Sequence, residues 1–156
     1  MSGALLTDEI RAMIGREVAY TAPEPLGRAA IRYFARATGD TAPEHLSGEV
    51  APPTLVFETN QYANLPADAD GYAGHSWALD LAGTRAFRGG HDYLWHRPLR
   101  PEDVVTATWT LLDVDERTTG SGEPMLVVTS RCRYTAADGE SIAEQTETIL
   151  HIGREP

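Results

Sequence analysis

An α+β fold, in which one antiparallel sheet wraps around a central buried helix, is what this sequence predicts. Three observations carry that expectation. Apolar residues recur with a period of about 3.6 in the first part of the chain and with a period of about 2 from Thr84 onward. The segment Ala51–Ala63 opens on Pro52-Pro53, which suits only the first turn of a helix. It continues through Leu55, Val56, Phe57, Thr59 and Tyr62, apolar on nearly every side, as a buried helix would be. Between the later runs stand Thr118-Thr119-Gly120-Ser121-Gly122 and Ala137-Asp138-Gly139, turn sequences that join antiparallel neighbours.

Each element has its own justification. Thr7 reads as an N-cap before the acids Asp8 and Glu9, with Ile10, Met13 and Ile14 at helical spacing and Gly15 as the stop. Glu17 to Thr21 is a short extended segment. Pro25 starts a second helix with Leu26, Ala29, Ala30, Tyr33, Phe34 and Ala37 on one face, ended by Gly39. Asn64 to Gly74 reads as a loop, and His75, Trp77, Leu79 and Leu81 as a return to extended chain. The strands are expected at Thr84–Phe87 and Asp92–His96 on either side of Gly89-Gly90, then at Val104–Val114, Met125–Thr135 and Ser141–Ile152. The alternation of Val105, Ala107, Trp109 and Leu111 with Thr106, Thr108 and Thr110 buries one face of that sheet.

Residues 1–156 read as one domain, long enough for a hydrophobic core. The net charge of -10 argues against a nucleic-acid partner, which requires a basic face. All 13 basic residues are arginine, so a Schiff-base lysine and a phosphate-loop lysine are excluded. Cys132 stands alone and can form neither an intrachain disulfide nor a cysteine metal site. Ser47 and Ser76 lack the setting of a nucleophile elbow. No apolar run approaches a membrane span, and the first residues carry acids where a signal peptide is basic, so the expected location is cytoplasmic.

The stretch with chemistry is Gly39-Asp40-Thr41-Ala42-Pro43-Glu44-His45, followed at once by Gly48-Glu49-Val50-Ala51. A carboxylate and an imidazole five residues apart on a Pro-containing turn can act as a general acid/base pair. A helix N-terminus beside them would offer N–H groups to a developing negative charge. The plainer reading makes Asp40 a turn cap and His45 a surface histidine. His75, His91, His96 and His151 share no metal-ligand spacing, and His91 and His96 are expected on strand faces as packing or hydrogen-bonding residues. Arg28, Arg32 and Arg36 form a row that is either a solvated stripe or a docking face for phosphate or an acidic carrier protein.

Several stretches together resemble the MaoC-like acyl dehydratases: Ile14-Gly15-Arg16-Glu17, Phe34-Ala35-Arg36-Ala37-Thr38-Gly39-Asp40, Ala51-Pro52-Pro53-Thr54, and His96-Arg97-Pro98-Leu99-Arg100-Pro101-Glu102-Asp103. The likeness is to the N-terminal half-domain type, also seen in (3R)-hydroxyacyl-ACP dehydratase subunits, and it spans about Thr7 to Ile152. Gly39, Asp40, Pro43 and His45 match the family's hydratase motif, while Ala42 replaces its Asn and Glu44 its apolar residue. Only Leu46 and Ser47 separate His45 from Gly48, where the family has a longer segment.

The resemblance implies a hotdog fold and an (R)-specific 3-hydroxyacyl-thioester dehydratase, or enoyl hydratase, acting on an acyl-ACP or acyl-CoA. It implies that His45 handles the α-proton, that Asp40 helps place the hydroxyl or water, and that N–H groups of Gly48, Val50 and Ala51 receive the thioester oxygen. No metal or organic cofactor is called for. A dimer is expected, possibly with a second hotdog subunit. The alternative is a non-catalytic hotdog subunit that shapes the acyl tunnel of a heterodimeric dehydratase. A hotdog thioesterase ranks third.

Overall fold

The computed structural model of the chain describes residues 4–153. The elements run α1 (Asp8–Ala12), β1 (Glu17–Thr21), α2 (Arg28–Ala37), α3 (Pro43–Ser47), two 3-10 turns (Pro53–Glu58 and Asn60–Tyr62), β2 (Thr84–Trp95), β3 (Thr106–Thr118), β4 (Pro124–Thr135) and β5 (Ser141–Gly153). The five strands form one antiparallel sheet in the order β1-β3-β4-β5-β2. Its two edges are therefore β1 and β2.

The sheet buries one face. Along β4, Leu126, Val128, Ser130, Cys132 and Tyr134 point inward and are buried. On β3 the inward set is Ala107, Trp109, Leu111 and Val114. The step of three before Val114 is a β-bulge between Leu111 and Asp113, which inserts one residue and restores the inward phase. Leu55, Val56, Ile31 and Leu99 close one end of this face, and Ile10 with the partly buried Trp77, Leu79 and Leu81 closes the other. Among the described residues no helix is long and apolar enough to cross a membrane.

The largest departure from expectation is the central helix. Ala51–Ala63 lies against the sheet, with Leu55 and Val56 buried and Phe57 and Tyr62 half-buried, but it is two 3-10 turns rather than one α-helix. The break is at Thr59, whose backbone is extended (φ -73, ψ 168). In an α-helix the Val56 carbonyl would take the Asn60 N–H; here it accepts the Thr59 hydroxyl at 3.3 Å and the Gln61 side-chain amide at 3.4 Å. Two prolines, β-branched Val56 and Thr59, and Asn60 leave too little helix propensity to oppose those local bonds.

Other boundaries also shift. Helix α2 starts at Arg28, with Gly27 before it at φ +80, and not at Pro25. Its buried stripe is Ile31 and Ala35 with Phe34 beside them, whereas Ala29, Ala30, Tyr33 and Ala37 face outward. The two strands expected around Gly89-Gly90 are one, β2, carrying a bulge between Arg88 and Gly90. A Gly89 side chain would lie about 3.2 Å from Thr148 O and Leu150, so the bulge presses the backbone onto β5. Residues 75–81 alternate between half-buried and exposed, but the backbone leaves the extended region at Ala78 (φ +52) and the segment joins no sheet.

Candidate active site

Asp40 is set by the end of α2. Gly39, at φ +71, turns the chain out of the helix, and the Asp40 N–H then donates to Ala35 O at 2.8 Å. Its Oδ1 accepts the Ala42 N–H at 2.9 Å. The expected turn tightens after two residues into α3, which starts at Pro43, where a missing N–H costs nothing. This puts the His45 Nδ1 at 2.7 Å from Asp40 Oδ2, with the side chains 16% and 25% exposed respectively.

A carboxylate only accepts, so the shared proton sits on Nδ1, and an imidazole bound this way can use Nε2 as a base. The Ala42 N–H foremost, and the His45 hydrogen bond and charge after it, hold the Asp40 carboxyl below its ordinary range against the opposing effect of burial. Gly48 fixes how α3 leaves: it is left-handed at φ +77, and a Cβ there would stand 2.7 Å from Arg28 O on α2.

The three amides expected to take a thioester oxygen are already engaged. Gly48 N–H donates to His45 O at 3.1 Å, Val50 N–H to Glu44 O at 3.3 Å, and Ala51 N–H to Leu99 O at 2.9 Å. The reason is that no α-helix begins at this point; the first two amides instead cap the carbonyls that α3 leaves open. Pro52 and Pro53 have no N–H, and Leu55 N–H donates to Pro52 O. Thr54 N–H, at the head of the first 3-10 turn, has no hydrogen-bond acceptor among the described residues.

His75, His91 and His96 have partners of their own. His75 stacks on Trp109 with ring centres 4.7 Å apart and shares a 3.0 Å hydrogen bond with the Tyr20 hydroxyl. Burial pushes its pKa down to about 4. His91 Nε2 lies 3.0 Å from Glu147 Oε2 on the neighbouring strand, and His96 Nε2 lies 3.2 Å from Glu144 Oε1. Tyr62 accepts the Trp109 indole N–H at 2.7 Å, and Trp77 donates to Ser130 Oγ at 2.9 Å. Arg28 and Arg36 are exposed and Arg32 half-buried, and none of the three is in an ion pair among the described residues. Among the described residues no three His, Cys, Asp or Glu side chains gather as metal ligands.

Sequence reasoning missed the role of Arg97. It grips buried Asp103 with two 2.8 Å bonds and Glu140 with a third, tying the segment after β2 to the β4–β5 hairpin.

The model of the FAS1-like dehydratase domain region matches residues 12–145. A UPF0336 protein of Streptomyces coelicolor is 32% identical over 111 residues, covering 65% of this chain and 70% of that protein. Another, from Parafrankia sp., is 29% identical over 153 residues, covering 92% of this chain and 94% of that protein. Among solved structures, the ChsH1-ChsH2 complex from Mycobacterium tuberculosis superposes with a TM-score of 0.68 at 21% identity, over 89% of this chain and 85% of that one. The HadBC (3R-hydroxyacyl-ACP dehydratase) complex from the same organism gives 0.59 at 24% identity, over 86% and 96%. The (R)-hydratase from A. caviae involved in PHA biosynthesis gives 0.54 at 15% identity, over 87% and 94%. With the antiparallel sheet and the matched dehydratase region together, the chain belongs to the FAS1-like dehydratase domain family and has the hotdog fold.

Proposed function

We propose that this chain is an (R)-specific 3-hydroxyacyl-thioester dehydratase, running equally as an enoyl-thioester hydratase, on an acyl chain carried by ACP or CoA. The observation that carries the reading is the 2.7 Å contact between Asp40 and His45, half-sheltered where α2 and α3 meet. Dehydration removes an α-proton and expels hydroxide, a poor leaving group, so one group must take a proton and another must deliver one. His45 Nε2 takes the α-proton, and the protonated ring, through a water held by Asp40, delivers one to the hydroxyl as it departs as water; Asp40 also orients the ring. As enolate character develops, the thioester oxygen needs a donor. Thr54 N–H takes that place, since Gly48, Val50 and Ala51 spend theirs internally.

The dimer belongs to the same reading. Strand β2 is an edge of twelve residues with Phe87, Tyr93, Leu94 and Trp95 exposed, and an open, apolar edge invites pairing. The occupant is a second hotdog chain, and two of the similar structures are complexes. The arginine row on α2, beside α3, is the side from which an acidic carrier would approach.

A second reading has its own support. The 3-10 turns replace a central helix and the expected oxyanion amides are occupied, which suits a subunit that shapes a tunnel for a catalytic partner. Incubating the purified chain with a trans-2-enoyl-CoA and following loss of the conjugated enoyl absorbance separates the two. Turnover giving the (R)-3-hydroxyacyl product supports catalysis; turnover only after adding a hotdog partner, and insensitive to changes at His45, supports the subunit.

A further inference from the structure

The inner face of the sheet changes character between β4 and β5. Opposite buried Ser130 on β4 stands Glu147 on β5, and opposite Glu147 stands His91 on β2. His91 Nε2 and Glu147 Oε2 are 3.0 Å apart, and both side chains are largely sheltered, at 15% and 17% exposure. Arg88 NH1 lies 3.4 Å from His91 Nε2 and 3.9 Å from Glu147 Oε2. The row is not a nucleophile triad, because Glu147 stands between Ser130 and His91 where a triad needs the imidazole in the middle.

The pair keeps unused capacity. Glu147 Oε1 has no partner among the described hydrogen bonds and is not sealed from solvent. With Nε2–H donated to the carboxylate, His91 Nδ1 is a second acceptor. A run of rings leads to it from the candidate active site. Trp95 donates to Pro53 O at 3.1 Å, Tyr93 lies 4.6 Å from Phe57 and 5.6 Å from Trp95, and His91 stacks on Tyr93 at 5.5 Å. From Trp95 to His91 is four strand residues, about 13 Å of apolar ring surface ending at two acceptors.

Resting on the dehydratase reading above, we infer that His91 and Glu147 form a subsite for a hydroxyl group on the acyl chain, well beyond the thioester. The substrate class is then a hydroxylated acyl thioester, and a plain alkyl chain leaves the pair unmet. A hydroxyl donates to one acceptor while the chain before it lies along Trp95 and Tyr93.

The test compares enoyl-CoA esters of one chain length, with no hydroxyl or with a hydroxyl at successive distal carbons, on the wild-type chain and on Glu147→Gln and His91→Gln. One hydroxylated ester is expected to be favoured in kcat/KM by about tenfold or more, the scale of a hydrogen bond to a charged group. Glu147→Gln brings that ratio near one while the alkyl ester changes by less than about threefold. No preference in the wild type, or an equal loss on both esters in the variants, overturns the subsite and leaves a strand pin. If the wild type turns over neither ester, the dehydratase reading fails by itself. Calorimetric binding of the saturated esters then decides the subsite: the same preference supports it and equal affinities overturn it.

Discussion

His75 and His45 are imidazoles in different surroundings, one packed among Tyr20, Trp77 and Trp109 and the other facing a carboxylate. Burial holds His75 neutral, with its pKa at about 4 against roughly 6.5 in the unfolded chain. Between those values the unfolded state binds a proton that the folded state does not, so stability falls as the pH drops from about 6.5 to about 4. Part of the ring stays solvated, so the loss is discounted to about 2 kcal/mol. Urea unfolding near neutral pH and again near about pH 5 checks it. His75→Phe should flatten the difference. Arg97→Ala should cost about 3 kcal/mol by the same measurement, because it strands the buried Asp103 carboxylate without its cation. The Asp40–His45 pair was legible in the sequence because its partners are five residues apart on one turn. His91 and Glu147 are 56 residues apart, and only the pairing of β2 with β5 brings them together.

At the scale of elements, the sheet was readable and the central helix was not. Strand β1 falls where the sequence placed it, and β4 and β5 shift by one residue at an end, since period-2 alternation with turn residues between runs admits few alternatives. Strand β3 starts and ends later than expected, because its bulge at Leu112 lets the ladder run on to Thr118. The apolar content of Ala51–Ala63 correctly implied burial, but apolar content does not say which carbonyls stay bonded. The Thr59 and Gln61 side chains take the carbonyl of Val56, and a local competition of that kind leaves no periodic signal. Helix α3 depends on Gly48 in the same local way. Gly48→Ala meets both the positive φ and the close Arg28 carbonyl, so it should lose about 2 kcal/mol or more. Thermal melting reads that loss. Hydration activity should fall with it, because α3 carries His45.

For the molecule as a whole, β2 is an open edge beside a polar-lined inner face, and the proposed function fills that edge with a second chain. Sedimentation of the purified chain should give a dimer, alone or with a second hotdog protein encoded beside it. A fully active monomer would contradict that. Assembly was only partly legible: exposed β2 rings are visible once the strand order is known, and sequence alone does not reveal which strands are edges. The whole account turns on Asp40 and His45 acting together, and steady-state hydration of a trans-2-enoyl-CoA by Asp40→Asn and His45→Ala tests it most directly. Asn at 40 keeps an acceptor for the Ala42 N–H, so the fold should stand. Each variant is predicted to lose about 10²–10⁴ in turnover with unchanged circular dichroism. Rates equal to wild type in both would contradict the account.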